Sequence, residues 1–285
     1  MDPVASVIIP ALNEAGTIGT QLGALARQEI DADWEVVVVD NGSTDQTVEV
    51  CESFAATLPL RVVTAERPGT SAARNRGAAE ASADLLLFCD ADDQVSPGWV
   101  SAMIAALDQH DAVGGGIEND LLNGERPGYM PRHPDRLPVV AGFLPRSISA
   151  NLAVRRSAFE AVGGFAEDYT YGSDDTEFCW RLQLAGFSLG YAPDAVVHYR
   201  HRSTLRSVAV KAFKANQSRG RLFRDYGPQG MPQPRLVGVA GRWARLAVAL
   251  PGVPFSPRLR WWWVEQAAGA AGRVDGSVRH RVLYL

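Results

Sequence analysis

Three aspartates follow directly after a short apolar run. The run is Leu85–Cys89, and Asp90, Asp92 and Asp93 come within the next four positions. Such a run is typical of a strand covered on both faces, and ligands of open α/β sheets collect at the carboxyl ends of strands. Clustered carboxylates repel one another and favour a cation, and hard oxygen ligands favour Mg²⁺ or Mn²⁺ over zinc. The alternative is a solvated acidic turn that caps the next helix.

Acids also stand beside other predicted elements. Glu14 follows the first predicted strand, Asp40 ends the second, and Asp174 with Asp175 opens a later helix. A parallel sheet would bring Glu14, Asp40 and the Asp90–Asp93 cluster to one edge. For Asp174 and Asp175 a structural role is the alternative, because the dipole of a helix stabilises acids in its first turn.

The strand-end aspartates suit a nucleotide diphosphate. Asp40 could accept a hydrogen bond from a base N–H or a ribose hydroxyl, Asp90 could accept one from a ribose hydroxyl, and Asp92 could bind a metal that bridges the diphosphate. The chain has neither a GxxxxGKS/T loop nor a GxGxxG loop after the first strand. Without such a loop, a metal has to neutralise the diphosphate.

Alternating strands and helices must position these residues. The predicted strands are Val4–Pro10, Trp34–Asp40, Leu60–Thr64, Leu85–Asp93, Val113–Ile117, Ile148–Val154, Ser188–Ala192 and Ala195–His198. The predicted helices carry Ile18 to Leu25, Val48 to Ala55, Thr70 to Ala79, Ser157 to Val162, Asp174 to Leu184, and a segment up to Asp108 with Ser96 as its N-cap and Pro97 as its first residue. The pattern predicts an α/β protein.

Two parts of the chain depart from this alternation. Residues 118–145 lack apolar periodicity, and a mobile substrate loop and an inert insertion are both open. After His198 the sequence predicts helices at Ser207–Asp225, Arg242–Leu250 and Arg258–Ala271. We therefore expect a domain over residues 1–225, with a nucleotide-binding half at 1–117 and an acceptor half at 118–225, followed by a helical tail at 226–285.

The overall composition is that of a globular protein. The 285 residues are 46% hydrophobic and 21% charged, which allows one core, or one core plus an appendage. Cys51, Cys89 and Cys179 are odd in number and lack paired spacing, which argues against a disulfide framework or a zinc knuckle and predicts a reducing compartment. The N-terminal stretch lacks the basic start and the length of a signal peptide.

Charge is distributed very unevenly along the chain. From Tyr199 onward there are 16 Lys and Arg against three acids, a net charge of +13, whereas the first 198 residues hold 12 basic against 29 acidic residues, a net charge of −17. Four of the seven tryptophans also lie in the basic part. This combination indicates an anionic membrane surface, and docking onto the acidic domain is an equal alternative. The longest uncharged run there holds three prolines and is too short to span a bilayer.

Seven segments follow one another in a fixed order. They are SVIIPALNEAGTIG, EVVVVDNGSTDQT, PGTSAARNRGA, LLLFCDADD, NLAVRRSAFEAVGGF, SDDTEFCWRLQLAGF and AVVHYRHR. Together they resemble the family 2 glycosyltransferases of the GT-A fold, over roughly residues 4–225. The resemblance implies a Rossmann-like nucleotide-binding sheet flanked by helices, and an inverting transfer of a sugar from a nucleotide diphosphate donor that depends on Mn²⁺ or Mg²⁺.

The resemblance also implies which residues form the site. The nucleotide-sugar pocket would be lined by Pro10, Ala11, Asn13, Glu14, Asp40, Arg74, Asp90 and Ala91. The acceptor would be bound by Asp174, Trp180, Asn151 and Gly164. Because the family usually has a glutamate at the position of Asp174, the acceptor side departs from the family pattern.

The same resemblance assigns the general base and the metal ligands. Asp175 would be the base, since an acceptor hydroxyl is a poor nucleophile until a carboxylate takes its proton. Asp92 and His198 would bind the metal, with His201 able to replace His198. Imidazole tolerates Mn²⁺ better than Mg²⁺.

These implications predict an enzyme and its partners. The donor would be a UDP-, dTDP- or GDP-linked sugar, and the acceptor a glycan or a lipid-linked molecule of cell-envelope polysaccharide synthesis. We expect a cytoplasmic protein, peripheral on the inner face of the membrane, without nucleic acid; the tail could equally form a homodimer contact. A degenerate member acting as a scaffold or glycan-binding partner and a retaining transferase are the alternatives. A nucleotidyltransferase fits less well, because it would carry a glycine-rich loop where Ala11–Glu14 stands.

Overall fold

The computed structural model describes residues 3–124, 136–169 and 172–285. Its strands are β1 (Ala5–Ala11), β2 (Trp34–Asp40), β3 (Leu60–Thr64), β4 (Leu85–Cys89), β5 (Gln94–Val95), β6 (Ala112–Glu118), β7 (Val139–Val140), β8 (Leu144–Pro145), β9 (Asn151–Arg155) and β10 (Leu189–His198). Its helices are α1 (Ile18–Leu25), α2 (Thr47–Glu52), α3 (Thr70–Glu80), α4 (Trp99–Leu107), α5 (Arg156–Ala161), α6 (Asp174–Leu184), α7 (Leu205–Tyr226), α8 (Leu236–Ala249) and α9 (Pro257–His280). Residues 125–135, part of the predicted irregular segment, lie outside the described residues.

The strands of the first 198 residues form a mixed sheet. Within the described chain, eight strands pair in the order β3-β2-β1-β4-β9-β6-β10-β5. The strands β3, β2, β1 and β4 run parallel, and β9 is antiparallel to both of its neighbours. Because Ala11 pairs with Asp40 and Ile8 with Phe88, the carboxyl ends of β1, β2 and β4 meet at one edge. The predicted α/β class is confirmed.

Helices cover both faces of this sheet. Val36 and Val38 belong to a buried cluster that includes residues of α1, α2 and α4. The alternate residues Val37 and Val39 belong to a second cluster, with residues of α3, α5 and α6. Burial on two faces explains why β2 is apolar without alternation.

Helix α3 lies very close to the sheet. A Cβ atom at Gly77 would lie 2.4 Å from Cγ2 of Ile8 on β1, so only glycine fits there without a shift. The carbonyl groups at the end of α3 accept hydrogen bonds from Arg156, which donates to Ala78 O (2.9 Å) and Ala81 O (2.7 Å). These contacts satisfy carbonyls that have no partner within the helix and fix α3 in place.

A second polar network lies at the amino ends of the strands. The buried carboxylate of Glu35 accepts hydrogen bonds from Ser6 Oγ (2.6 Å) and the Ser82 N–H (2.6 Å) and forms an ion pair with Arg61. Arg61 also donates to the carbonyl of Glu80. The network links β1, β2, β3 and the end of α3.

Several predicted boundaries differ from the structure. Ser96 and Pro97 precede α4 as a turn, and Gly98, with φ 74°, is its N-cap. The two strands predicted within 188–198 are one strand, β10, with a register shift between Ala192 and Val196. The helices α8 and α9 extend beyond the tail helices predicted from the sequence. The three cysteines are free and buried.

The chain divides into two compact units. The first comprises the described residues of 1–138, 145–170 and 174–201, and the second those of 139–144, 171–173 and 202–285. In the second unit α7 and α9 pack backbone to backbone, since a Cβ atom at Gly272 or Gly276 would lie 2.1 Å from a carbonyl oxygen of α7. The division predicted at residue 225 stays a prediction. Among the described helices, none has the length and apolar character needed to cross a membrane.

Candidate active site

The loops that follow β1 and β2 are bound to each other. Asn13, with a positive φ of 56°, accepts a hydrogen bond from the Thr44 N–H (2.8 Å), and its own N–H donates to Ser43 Oγ (2.9 Å). The buried Asp40 accepts a hydrogen bond from the Ser43 N–H (3.1 Å). The structure therefore brings Asn13 and Asp40 together at the carboxyl edge of the sheet.

Pro10, Ala11 and Glu14 lie at the same edge. The carbonyl of Ala11 accepts a hydrogen bond from the Asn41 N–H (2.8 Å). The Glu14 carboxylate accepts one from the Thr17 hydroxyl (2.5 Å) at the start of α1. Asn13 and Glu14 thus stabilise the loop, and a contact of either with a nucleoside stays a prediction.

Arg74 connects the strand-end acids to helix α6. Its nearly buried guanidinium donates to Asp90 Oδ1 (2.7 Å) and to Asp174 Oδ2 (3.2 Å), and it lies 5.6 Å from the centre of the Phe165 ring. Burial acts to lower the pKa of Arg74, but Asp90 and Asp174 outweigh burial and raise it. The cation therefore stays charged and holds the two acids on either side of it.

The aspartates after β4 form a compact carboxylate cluster. One carboxylate oxygen each of Asp90, Asp92 and Asp93 lies within 4.8 Å of the others, a spacing found for no other three His, Cys, Asp or Glu in the described chain. Asp90 and Asp92 are half-buried, and Asp93 and Ala91 are buried. Three carboxylates at this spacing fit the oxygen ligand set of Mg²⁺ or Mn²⁺.

Backbone contacts fix the turn that carries this cluster. The Arg200 N–H donates to Asp93 Oδ1 (2.7 Å), and the guanidinium of Arg200 donates to the carbonyl of Asp92 (2.7 Å). The segment after β10 therefore holds Asp92 and Asp93 in position.

Asp174 and Asp175 begin α6, and each faces a different cation. Burial, followed by the neighbouring charge of Asp175, raises the pKa of Asp174, while Arg74 acts in the opposite direction. Asp175 accepts from Arg146 Nη1 on Oδ2 (2.7 Å) and from the Thr176 N–H on Oδ1 (2.6 Å). The predicted general base is therefore fixed through both of its oxygens.

His198 and His201 contact the segment around the end of β6. Nδ1 of His198 lies 2.8 Å from Glu118 Oε2, and Nε2 of His201 lies 3.1 Å from Asn119 Oδ1. Burial acts to raise the pKa of Glu118, but hydrogen bonds from His198 and two backbone N–H groups lower it to about 2. Neither histidine belongs to the carboxylate cluster described above, and their role as metal ligands stays a prediction.

Three residues predicted to bind an acceptor have internal positions. Trp180 is fully buried, so its ring lies in the core. Asn151 is fully buried, accepts from Trp99 Nε1 (2.8 Å) and donates to carbonyls of β6 and β10. Gly164 forms a buried turn with φ 69°, where a Cβ atom would lie 2.7 Å from Asn75 Oδ1. Trp180 and Asn151 thus have structural roles in the described chain, and acceptor binding by either of them or by Gly164 stays a prediction.

The sequence does not single out two arginines that the structure brings to the site. Arg146 contacts Asp175 across 29 positions, and it directly follows the segment without periodicity. No spacing rule predicts such a contact. Arg200 lies within the segment AVVHYRHR, and that segment is the signal from which its importance could have been inferred.

Comparison with known proteins decides the family. A family model described as glycosyl transferase family 2 matches residues 6–163, more than half of the chain. The chain belongs to glycosyl transferase family 2. A second model, glycosyl transferase family group 2, matches residues 140–220 of this family 2 protein.

Named relatives are glycosyltransferases. Validoxylamine A glucosyltransferase of Streptomyces hygroscopicus is 32% identical over 66% of this chain and 53% of its own length. Glycosyltransferase AglE of Haloferax volcanii is 32% identical over 68% of this chain and 66% of its own length. Pre-mycofactocin glycosyltransferase of Mycobacterium tuberculosis is 33% identical over 73% of this chain and 45% of its own length. The family 2 chain thus spans about half to two thirds of these relatives.

Solved structures share the fold. Mannosyltransferase PcManGT of Pyrobaculum calidifontis, in complex with GDP-Man and Mn²⁺, has a TM-score of 0.69 at 22% identity, over 97% of this chain and 87% of that one. TarS 1–349 of S. aureus in complex with UDP has a TM-score of 0.58 at 21% identity, over 99% of this chain and 93% of that one. These likenesses confirm the predicted GT-A fold.

Proposed function

We propose that this family 2 protein is an inverting, metal-dependent glycosyltransferase that moves a sugar from a nucleotide diphosphate donor to a hydroxyl of a glycan or lipid-linked acceptor. The observation that carries the proposal is the bridge at Arg74, which joins Asp90 at the end of β4 to Asp174 at the start of α6. Through it, acids suited to a donor and acids suited to an acceptor belong to one continuous site.

The donor is assigned to the carboxyl edge of the sheet. Asp40 and Asp90 end parallel strands there, where a base and a ribose present N–H and hydroxyl donors. Complexes of PcManGT with GDP-Man and of TarS with UDP support a nucleotide diphosphate and leave its base open. Pro10, Ala11 and Ala91 complete the proposed pocket.

Asp92, with Asp90 and Asp93 beside it, would hold the divalent cation, and His198 remains a proposed partner. The cation would supply the positive charge that neutralises the diphosphate, since no glycine-rich loop does so. Arg74 already neutralises part of the charge of Asp90, and Asp92 is the residue that the family resemblance assigns to the metal. Manganese in the complex of PcManGT supports this choice of ion.

Asp175 is assigned the role of general base. One carboxylate oxygen accepts the proton of the acceptor hydroxyl while the oxygen of that hydroxyl forms its bond to C1 of the sugar and the diphosphate leaves. Arg146 and the Thr176 N–H hold the two oxygens of Asp175 and so fix the direction in which its remaining lone pairs point. Attack from the face opposite the diphosphate inverts the configuration at C1.

Replacing Asp175 by Asn tests the assignment. The amide is nearly isosteric but cannot accept the proton, so transfer should fall by about 10²–10⁴-fold. Donor binding should persist, measured as a thermal shift with Mn²⁺ and a panel of nucleotide sugars. The matched control is Asp194→Asn, on the exposed bend of β10, which should leave both measurements unchanged.

Three results would each contradict a part of the proposal. Transfer at a near-normal rate by the Asp175→Asn variant would remove that residue from the role of base. A product with the anomeric configuration of the donor would show a retaining reaction. Loss of the donor-induced thermal shift in the same variant would instead place Asp175 in donor binding.

A further inference from the structure

The second unit exposes a set of large apolar side chains between residues 237 and 262. This set, called here the apolar strip, consists of Val237, Trp243, Val248, Leu250, Phe255 and Trp262. Phe255 is 87% exposed, Val237 85% and Val248 82%. Every exposed tryptophan or phenylalanine in the described part of the chain belongs to it. Large apolar side chains exposed together in one segment mark a surface that contacts something other than water.

One side of helix α8 is both apolar and exposed. Val239, Leu246 and Ala249 form its inner side, at helical spacing, and Leu246 is buried. The outer side carries the exposed Val237 and Val248, and the exposed residues Gly241 and Ala244 lie between them at the same spacing. A surface helix of a water-soluble unit normally carries polar residues on its outer side. The outer side of α8 is therefore suited to an apolar environment.

The charged residues of the segment between Asp225 and Glu265 are all basic. No Asp or Glu occurs between Asp225 and Glu265, whereas five arginines lie in that interval: Arg235, Arg242, Arg245, Arg258 and Arg260. Arg235, Arg245 and Arg258 are exposed. A partner must therefore combine an apolar layer with negative charge. Tryptophan is moreover the side chain most suited to the boundary between lipid and water.

The same charge argues against a second copy of the chain. A symmetric dimer through this face would bring each set of five arginines toward the other without any acid of the interval to compensate them. The length of α8, 14 residues, is also too short for a helix that crosses a bilayer. A helix of this kind lies in the plane of the membrane interface, with its apolar side toward the acyl chains.

We propose that the apolar strip and its arginines form a binding surface for an anionic phospholipid bilayer. Phe255 and the outer side of α8 enter the boundary between headgroups and acyl chains, and Arg245 and Arg258 contact lipid phosphates. This binding does not depend on the transfer reaction, because none of its residues belongs to the proposed site.

Sedimentation with vesicles tests the surface. The full chain should sediment with vesicles that contain phosphatidylglycerol and phosphatidylcholine, and much less with phosphatidylcholine alone. Raising the salt concentration should weaken binding, because it screens the arginines. Replacing Arg245 by Gln should lower the partition coefficient about five-fold, and adding Arg258→Gln should lower it about as much again. The double replacement Val248→Ser and Phe255→Ser should lower it by at least about tenfold.

Matched controls distinguish binding through this surface from non-specific binding to vesicles. Val278→Ser, in the same unit on α9 and 73% exposed in the native protein, should leave partitioning unchanged, as should Arg27→Gln, an exposed arginine after α1. Brominated lipid should quench the fluorescence of Trp243 and Trp262 in the native protein, which gives a readout that needs no variant.

Any of three outcomes would overturn the proposal. The first is no sedimentation with phosphatidylglycerol vesicles together with no quenching. The second is equal binding to both kinds of vesicle without an effect of the arginine replacements. The third is a dimer in sedimentation velocity that the Val248→Ser and Phe255→Ser variant converts to monomer.

Discussion

The single guanidinium of Arg74 forms ion pairs with two acids of the candidate site. It faces Asp90 and Asp174 from a nearly buried position. A charge in such a place is tolerated only when it is paired, because burial removes its hydration. Since Arg74 is the partner of both acids, its loss would leave the largely buried Asp174 and the half-buried Asp90 without the cation that pairs with them.

We therefore expect Arg74→Met to destabilise the protein by about 3–5 kcal/mol. The control is Arg76→Met, two positions later on α3, where the arginine pairs with Glu66 and Glu80 near the surface. Exposed pairs contribute about 0–1 kcal/mol, so this variant should unfold close to the native protein. Urea unfolding followed by circular dichroism measures both. Equal losses in the two variants would show that the bridge at Arg74 has no special role.

At the level of residues, the sequence reveals some features of the site and hides others. Asp40 and the Asp90–Asp93 cluster could be located because apolar runs end beside them. The burial of Trp180 and Asn151 could not, because it depends on which helices and strands pack around them. The pairing of Arg146 with Asp175 likewise arises from the folded arrangement and has no local pattern.

At the level of elements, the position of α3 depends on the absence of a side chain at Gly77. The 2.4 Å approach to Ile8 means that a methyl group would push α3 away from β1. Gly77→Ala should therefore destabilise the protein by about 1–3 kcal/mol, and it should weaken donor binding because Arg74 lies on the same helix. Gly16→Ala is the control, since no atom lies within 4 Å of the added methyl group. Thermal unfolding with and without nucleotide measures both effects, and a stable Gly77→Ala variant with weakened nucleotide binding would separate packing from function.

Most elements of the first unit can be predicted from apolar periodicity. The wrongly predicted boundaries have local causes. Helix α4 was expected to start at Pro97, yet the left-handed backbone of Gly98 ends a turn there and the helix begins at Trp99. Strand β10 continues through Pro193 and Asp194, because a bulge absorbs residues that in the sequence look like a break. A single amino-acid sequence gives no means to distinguish a β-bulge from a loop between two strands.

At the level of the whole molecule, acid should weaken the fold through Glu35. Burial acts to raise the pKa of Glu35, but hydrogen bonds from Ser6 and Ser82 and the charge of Arg61 outweigh burial and lower it from its ordinary value of 4.5. A carboxyl group with a lowered pKa stabilises the folded state above its ordinary pKa, and this contribution is lost as the pH falls below about 4.5.

Glu35→Gln should accordingly cost about 1–3 kcal/mol at pH 7, and the difference from the native protein should shrink as the pH falls below about 4.5. Glu29→Gln, at an exposed position, should show neither effect. Urea unfolding at pH 7, 5 and 3 provides the comparison. A difference that stays constant across these pH values would mean that the charge of Glu35 is not what stabilises the network.

The order of strands in the sheet determines when each strand can find its pairing partner during synthesis of the chain. Strand β6 is complete at Glu118, but among the described strands its neighbours are β9 and β10, which begin at Asn151 and Leu189. In a chain emerging from the ribosome, β6 therefore has both edges unpaired until β9 has been synthesised. The edge of β4 that pairs with β9 is unpaired over the same interval. Exposed strand edges are where chains aggregate. The sheet is thus assembled in two stages, with β1 to β4 first and β9 and β10 later. The nascent chain is most in need of protection between the emergence of residues 118 and 155.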